Sequence, residues 1–230
     1  MIVSANQPYF APFPGFFLKA LRADIFLLMD TVQFPLGSTW LTRNRFKNDH
    51  GSFWLNVAVW RKGLGLQRIN EVRICHDRSW AKKSLKRLKS AYLKAPFFDE
   101  HLIFLEEMFS YGVDRLMVLN LSIIRYVMKY LHIGTEIRLL SDLGIETREP
   151  MLSVEVCRRL GATQFLAQVS ARRYLNVDAF RKAGIELIFF NPRPPVYPQL
   201  WGNYIPNLSI FDLIFNCGPR ARHILDKYAA

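Results

Sequence analysis

Seven short runs of apolar, β-branched or aromatic residues, at 2–5, 25–29, 53–59, 69–74, 136–140, 164–167 and 185–190, end in turn-forming or polar residues and predict strands. Between them, apolar positions at helical spacing predict helices over 14–22, 79–95, 97–112, 114–132, 150–160, 176–183, 208–215 and 218–228. Strands alternating with helices at both ends of the chain predict a parallel sheet. The middle breaks this rhythm: "SFWLNVAVWRKGLGLQRINEVRI" reads as an antiparallel pair turning about Gly63 and Gly65, and three successive helices follow. The expected fold is therefore α/β, one domain over residues 1–230. It has a Rossmann-like, mostly parallel sheet built from both ends of the chain, with a strand pair and a helical insert (about 75–132) in the middle.

Charge modifies this picture at one place. The net charge is +12, which favours anionic partners such as a nucleotide, a phosphorylated or acidic carrier, nucleic acid or an anionic surface. In "SWAKKSLKRLKSAYLKA" the residues Trp80, Ala81, Leu85, Leu88, Tyr92 and Ala95 form one stripe, and Lys82, Lys83, Lys86, Arg87, Lys89 and Lys94 cover the rest. This reads as a surface helix, with docking of a polyanion as its functional alternative. His76 and Asp77 read as its cap. No apolar run is long enough for a spanning helix, and "MIVSANQP" has no signal-peptide pattern, so the expected compartment is the cytoplasm. Cys75, Cys157 and Cys217 lack disulfide or metal-ligand spacing, and so do the five histidines. They read as interior thiols, with a catalytic Cys217 as the alternative; no metal or cofactor is assigned.

The stretch "NQPYFAPFPGFF" joins the first strand to the first helix. Its prolines at 8, 12 and 14 fix φ and leave few conformations, which suits a rigid ligand-binding edge as well as a plug of the core. Asn6 and Gln7 fall at the carboxyl end of a central strand, where open α/β sheets bind ligands. Gly15 permits close approach to the first helical turn. The second strand ends at Asp30, with Gln33, Arg43, Asn44 and Arg45 soon after; arginine clamps carboxylate or phosphate, the amides donate and accept, and aspartate can take a proton from an amine. Gln168, Ser170 and Asn191 leave later strands in the same way. Near the C-terminus Ser209 and Asp212 have capping-box spacing, and Asp212 and Asn216 share a helical face that needs buried partners, for which Arg43 or Arg45 are the expected source.

The segments "QPYFAPFPGFF", "ADIFLLMDTVQF", "WLTRNRFK", "FWLNVAV", "CRRLGATQFLAQVSARRYL" and "VYPQLWGNYIPNLSIFDLIFNCG" occur in order and resemble the WbqC-like family over nearly the whole chain. That resemblance implies a setting in bacterial surface-polysaccharide (O-antigen) clusters and a glycine-transferase type of activity. It marks Gln7, Pro8, Gly15, Asp30, Gln33, Arg43, Asn44, Arg45, Ser209, Asp212 and Asn216 as site positions. "FPGFF" and "AVWRKG" depart from the family pattern, so the resemblance also allows a specialised small metabolite as product.

Three functions follow. The first is a transferase for a small substrate with an anionic group, moving or condensing an acyl or aminoacyl group onto an amine. Asp30, Gln7 and Asp212 are its expected catalytic residues, and Gln33, Arg43, Asn44, Arg45, Ser209, Asn216 and Gly15 its binding residues. The second is nucleotidyl transfer or ATP-dependent ligation, from the strand–turn–helix opening. The third is a basic module for RNA or an acidic carrier protein; the aromatic residues do not interleave with basic ones, which disfavours nucleic acid.

Overall fold

Five of the predicted apolar runs assemble into one parallel sheet in the computed structural model, which describes residues 1–76, 79–110 and 112–229. They are β1 (Ile2–Asn6), β2 (Ile25–Leu28), β5 (Glu136–Leu139), β6 (Gln164–Gln168) and β7 (Glu186–Phe190), in the order β5-β2-β1-β6-β7. Counting only these strands along the chain, the order is 3-2-1-4-5, the doubly wound arrangement. Period-two alternation sends each strand's side chains to opposite faces. Phe26, Leu28 and Leu166 enter one apolar cluster, while Val3, Ile25, Leu27, Phe165 and Ala167 enter the other.

Helices cover both faces. On the first face lie α1 (Pro14–Leu21), α4 (Leu116–Tyr130), α7 (Ile210–Cys217) and α8 (Arg220–Ala229). On the second lie α5 (Leu152–Leu160) and α6 (Val177–Lys182). Burial on both sides explains why β2 is "IFLL" with no polar position. Between β2 and β5 sits the insert: the strands β3 (Arg43–Asn48) and β4 (Gly51–Asn56), then α2 (Trp80–Tyr92), α3 (Leu102–Met108) and α4. The first apolar cluster runs from the sheet into this insert through Phe46, Leu55, Leu88 and Tyr92.

The strand pair lies earlier than the pattern predicts. β3 and β4 pair antiparallel with Asn48 opposite Gly51, and the chain turns at Asp49–His50, not about Gly63 and Gly65. The alternation in "RNRFKN" is real, with Asn44 and Phe46 buried. Its buried positions include polar residues, so it does not register as an apolar pattern. The expected strand 69–74 is a 3-10 turn at Ile69–Glu71 followed by single bridges, one of which pairs Val59 with Ile74. The helix expected at 97–112 shortens to α3 behind a 3-10 turn at Asp99–His101. Of the expected cap of α2, Asp77 lies outside the described residues.

The proline-rich loop between β1 and α1 is buried, and buried carbonyls need partners. Asn120 of α4 donates its side-chain amide to Pro8 O (2.7 Å) and Leu41 O (2.9 Å). Asn44 of β3 does the same for Phe10 O (3.2 Å) and Ala11 O (2.6 Å), and Ile210 N donates to Pro12 O (2.8 Å). The prolines remove N–H groups that would also have needed acceptors. The loop is thus held by three distant parts of the chain, which fixes the end of β1.

Candidate functional site

A cleft of about 1170 Å³ opens outside the carboxyl ends of the strands. β1 and β6 are neighbours, but the chain leaves them toward opposite edges of the sheet, which makes their exits a topological switch point. The cleft forms there. Asn6 and Gln7 enter it from β1, Gln33 from the exit of β2, Ser141 from the exit of β5, and Gln168 and Ser170 from the exit of β6. The insert contributes Arg68 and Asn70; the segment before α5 contributes Arg148 and Glu149; and Arg173 and Tyr174 follow β6. Among the described residues no three His, Cys, Asp or Glu side chains gather as a metal centre would require.

Lys19 of α1 also lines this cleft, and it is only 3% exposed. Its Nζ donates to the carbonyl of Ala5 and to Asn6 Oδ1, the latter at 3.4 Å, and the Phe26 ring lies 6.0 Å away. Among the described residues no carboxylate comes within ion-pair distance of it. Burial without a counter-charge disfavours the ammonium and brings the Lys19 pKa down to about 7. A neutral amine that donates two N–H bonds keeps its lone pair.

Of the two carboxylates that line the cleft, Glu146 is exposed and Glu149 is partly buried. Ser153 donates to Glu149 through both its hydroxyl and its backbone N–H at the start of α5. Burial raises the Glu149 pKa against the opposing pull of these bonds. Tyr9, beside Asn6, is raised by burial, and so is Tyr174, with Glu149 adding to the effect and Arg173 opposing it. The cleft therefore combines an amine and a carboxyl group, each with its charged form disfavoured by burial, with the cations Arg68, Arg148 and Arg173.

The residues predicted from sequence divide into several places. Gln7 and Gln33 line the cleft. Asp30 stands behind its wall, 2% exposed, accepting from Ser141 N (3.0 Å) and from Asn70 Nδ2 (3.4 Å), so it fastens two cleft-lining residues to the end of β2. Arg45 donates to Pro206 O (3.0 Å) and Asn207 O (3.2 Å). It lines a smaller pocket of about 370 Å³ with Phe13, Trp40 and Asn191, which meets the cleft at Gln168 and Ser170. The Arg43 guanidinium lies over the Trp54 ring at 4.3 Å, and Asn44 holds the proline-rich loop. A Cβ on Gly15 would stand 2.9 Å from the Phe13 ring and 3.3 Å from Pro192, so protein fills the space beside the first turn of α1.

Ser209, Asp212 and Asn216 form a separate centre. Ser209 Oγ accepts from Phe211 N (3.3 Å), its own N–H goes to Arg45 O (2.8 Å) and Asp212 N goes to Ser209 O (2.9 Å), so Ser209 is an N-cap without the expected capping box. The partners of Asp212 are tyrosines, not arginines: Tyr92 and Tyr197 donate to it at 2.8 and 2.9 Å. Burial raises the Asp212 pKa to about 6, against the pull of both hydroxyls and of Lys47. Asn216 bonds Asp212 O (2.7 Å) and receives Leu200 N (3.1 Å). None of Arg43, Asn44, Gly15, Ser209, Asp212 or Asn216 lines the cleft or the smaller pocket. Cys217 is 1% exposed, and burial pushes its thiol up to about 11, leaving it protonated at neutral pH.

Sequence reasoning missed Lys19, Glu149 and the arginine rim. One signal was available for Lys19: within "PGFFLKAL" it is the sole charged residue of an otherwise apolar helix. Glu149 carried none, because the segment between β5 and α5 has no periodic pattern.

The sheet order and its switch-point cleft define a doubly wound α/β protein with a small-molecule-sized site. A model of the WbqC-like protein family matches residues 7–224, and the chain belongs to that family. It is also similar to an uncharacterized protein, Rv1507c, of Mycobacterium tuberculosis (strain ATCC 25618 / H37Rv), with 30% identity over 225 residues covering 95% of each chain. No solved structure matches. Among the described residues no helix is long and apolar enough to cross a membrane.

Proposed function

We propose that this protein is a small-molecule transferase that moves or condenses an acyl or aminoacyl group, such as glycyl, onto an amine. The product would belong to surface-polysaccharide or specialised-metabolite biosynthesis. The observation that carries this reading is the cleft at the β1–β6 switch point, which brings Glu149 and three arginines around strand-end amides. In this mechanism Arg68, Arg148 and Arg173 hold the anionic group of a substrate, and Gln7, Gln33 and Gln168 orient the carbonyl and the amine by donating and accepting. As the amine nitrogen attacks the acyl carbon, its proton passes to Glu149; the bond to the leaving group then breaks and Glu149 returns the proton to it. Asp30 acts through position, by keeping Ser141 and Asn70 in place. A carrier presenting an acidic face would meet the exposed Lys82, Lys83 and Lys86 of α2.

Acyl transfer is favoured over nucleotidyl transfer by the surroundings of Gly15. The helix end that would bind a phosphate in a nucleotide enzyme is packed against Phe13 and Pro192. The test is a thermal-shift screen of acyl donors, amino acids and nucleotide sugars, followed by mass spectrometry of mixtures of the stabilising compounds. An amide product whose rate falls about 100-fold in Glu149→Gln supports the reading. Stabilisation by ATP and Mg²⁺ alone, with adenylyl or nucleotidyl products, overturns it.

A further inference from the structure

We propose that Lys19 is a covalent catalytic residue, whose amine captures the carbonyl carbon of an aldehyde or ketone substrate bearing a carboxylate or phosphate. The inference shares with the proposed transferase only the premise that the cleft is the active site. It names a substrate class that the transfer reading leaves open.

Geometry separates Lys19 from every other lysine described. Lys82, Lys83 and Lys86 are solvent-exposed on α2. Lys47, the other deeply buried lysine, donates to Gln199 Oε1 (3.1 Å) and Asn203 O (2.7 Å), with the Asp212 charge nearby, and lines neither pocket. Lys19 alone is buried, lines the cleft and has no carboxylate to pair with. A lysine placed only to cap the carbonyl of Ala5 would gain from a counter-ion; this site omits one. Desolvation of this kind turns lysine into a nucleophile at neutral pH.

The step is balanced without any further reagent. The Lys19 lone pair attacks the carbonyl carbon, the oxygen takes a proton to give a carbinolamine, and water leaves as the C=N bond forms. Both N–H protons of the neutral amine end up in that water, for which Glu149 or Tyr9 in the same cleft can serve as the relay. A second substrate's amine can then attack the imine carbon, pass its two N–H protons to the Lys19 nitrogen and release Lys19 as a free amine, which condenses the carbonyl compound onto the second amine. Arg68, Arg148 and Arg173, on the same cleft, would hold the anionic end of the carbonyl compound.

The test uses glyoxylate, the smallest aldehyde with a carboxylate, and sodium cyanoborohydride with the full-length protein, read by intact mass and peptide mapping. The expected result is a first adduct on Lys19, formed at least about tenfold faster than on Lys82, Lys83 or Lys86. Acetaldehyde, lacking the anion, should label Lys19 more slowly. Lys19→Met should lose the adduct; if that variant does not fold, mapping of the wild-type protein decides alone. Labelling spread over the exposed lysines with Lys19 untouched overturns the proposal, and so does an unchanged rate of product formation in folded Lys19→Met. A Lys19 adduct in a protein that transfers no acyl group would keep this inference and remove the transfer reading.

Discussion

The Asn44 side-chain amide lies 2.6 Å from the carbonyl oxygen of Ala11, so a strand of the insert fastens the buried loop that follows the first strand of the sheet. Asn44→Ala would leave the carbonyls of Phe10 and Ala11 buried without that donor. We expect a loss of about 2–4 kcal/mol in urea unfolding. Asn44→Asp should be at least as damaging, because a carboxylate brings acceptors where donors are needed.

Lys19 gives a pH signature in stability. Its folded pKa, about 7, lies below the unfolded lysine value of about 10.4, so between these limits the unfolded chain binds the extra proton. Stability should therefore rise with pH from about 7 to 10, and that gain should be lost as pH falls from about 10 to 7, with no further change from this group below. Thermal melts across this range in the wild type and in Lys19→Met should differ in slope, with the variant flatter.

His101 acts in the acid range. It is fully buried, its Nδ1 is hydrogen-bonded with Tyr126 Oη at 2.6 Å, and burial lowers its pKa to about 4. Because the unfolded value is about 6.5, the unfolded state gains the proton first as pH falls, and stability is lost between about 6.5 and 4, by at most about 3 kcal/mol. His101→Phe should remove that part of the acid titration, measured by denaturant unfolding at several pH values.

Gly218 is a steric test. It closes α7 with φ +51°, and a Cβ there would stand 2.4 Å from the Phe97 ring. Gly218→Ala should cost about 2–4 kcal/mol, read by chemical unfolding, through both the clash and the left-handed backbone.

At the rim of the cleft, Arg148→Ala and Arg173→Ala should each raise KM for an anionic substrate about tenfold while kcat changes little, because these groups bind ground state and transition state alike. A fall in kcat at constant KM would place them on the reacting atoms instead.

The sheet was legible because β1, β2 and β6 are buried on both faces: β2 and the centre of β6 read as unbroken apolar runs, and β1 is interrupted only by Ser4, which donates to Leu166 O. An antiparallel pair and part of its second strand were legible, but its first strand, β3, was not, because Asn44 and Lys47 occupy interior positions and tertiary hydrogen bonds, invisible in a single sequence, make them tolerable there. In the site, Gln7 and Gln33 followed directly from where their strands end. Asp212 and Asn216 were correctly read as a buried polar pair on one helical face, but Tyr92 and Tyr197 as their partners depend on packing between remote segments. Lys19 was hidden by an ordinary rule, that helical lysines face water.

The carbonyls of the early proline-rich loop find their donors at residues 44, 120 and 210. The ribosome delivers the last of these only after every strand of the sheet has been made. The front wall of the cleft is therefore among the last features to set, and a chain cut short before α7 should leave that wall unfinished even though every strand of the sheet is present. Limited proteolysis around residues 7–13 in such a truncated product would expose the unfinished loop.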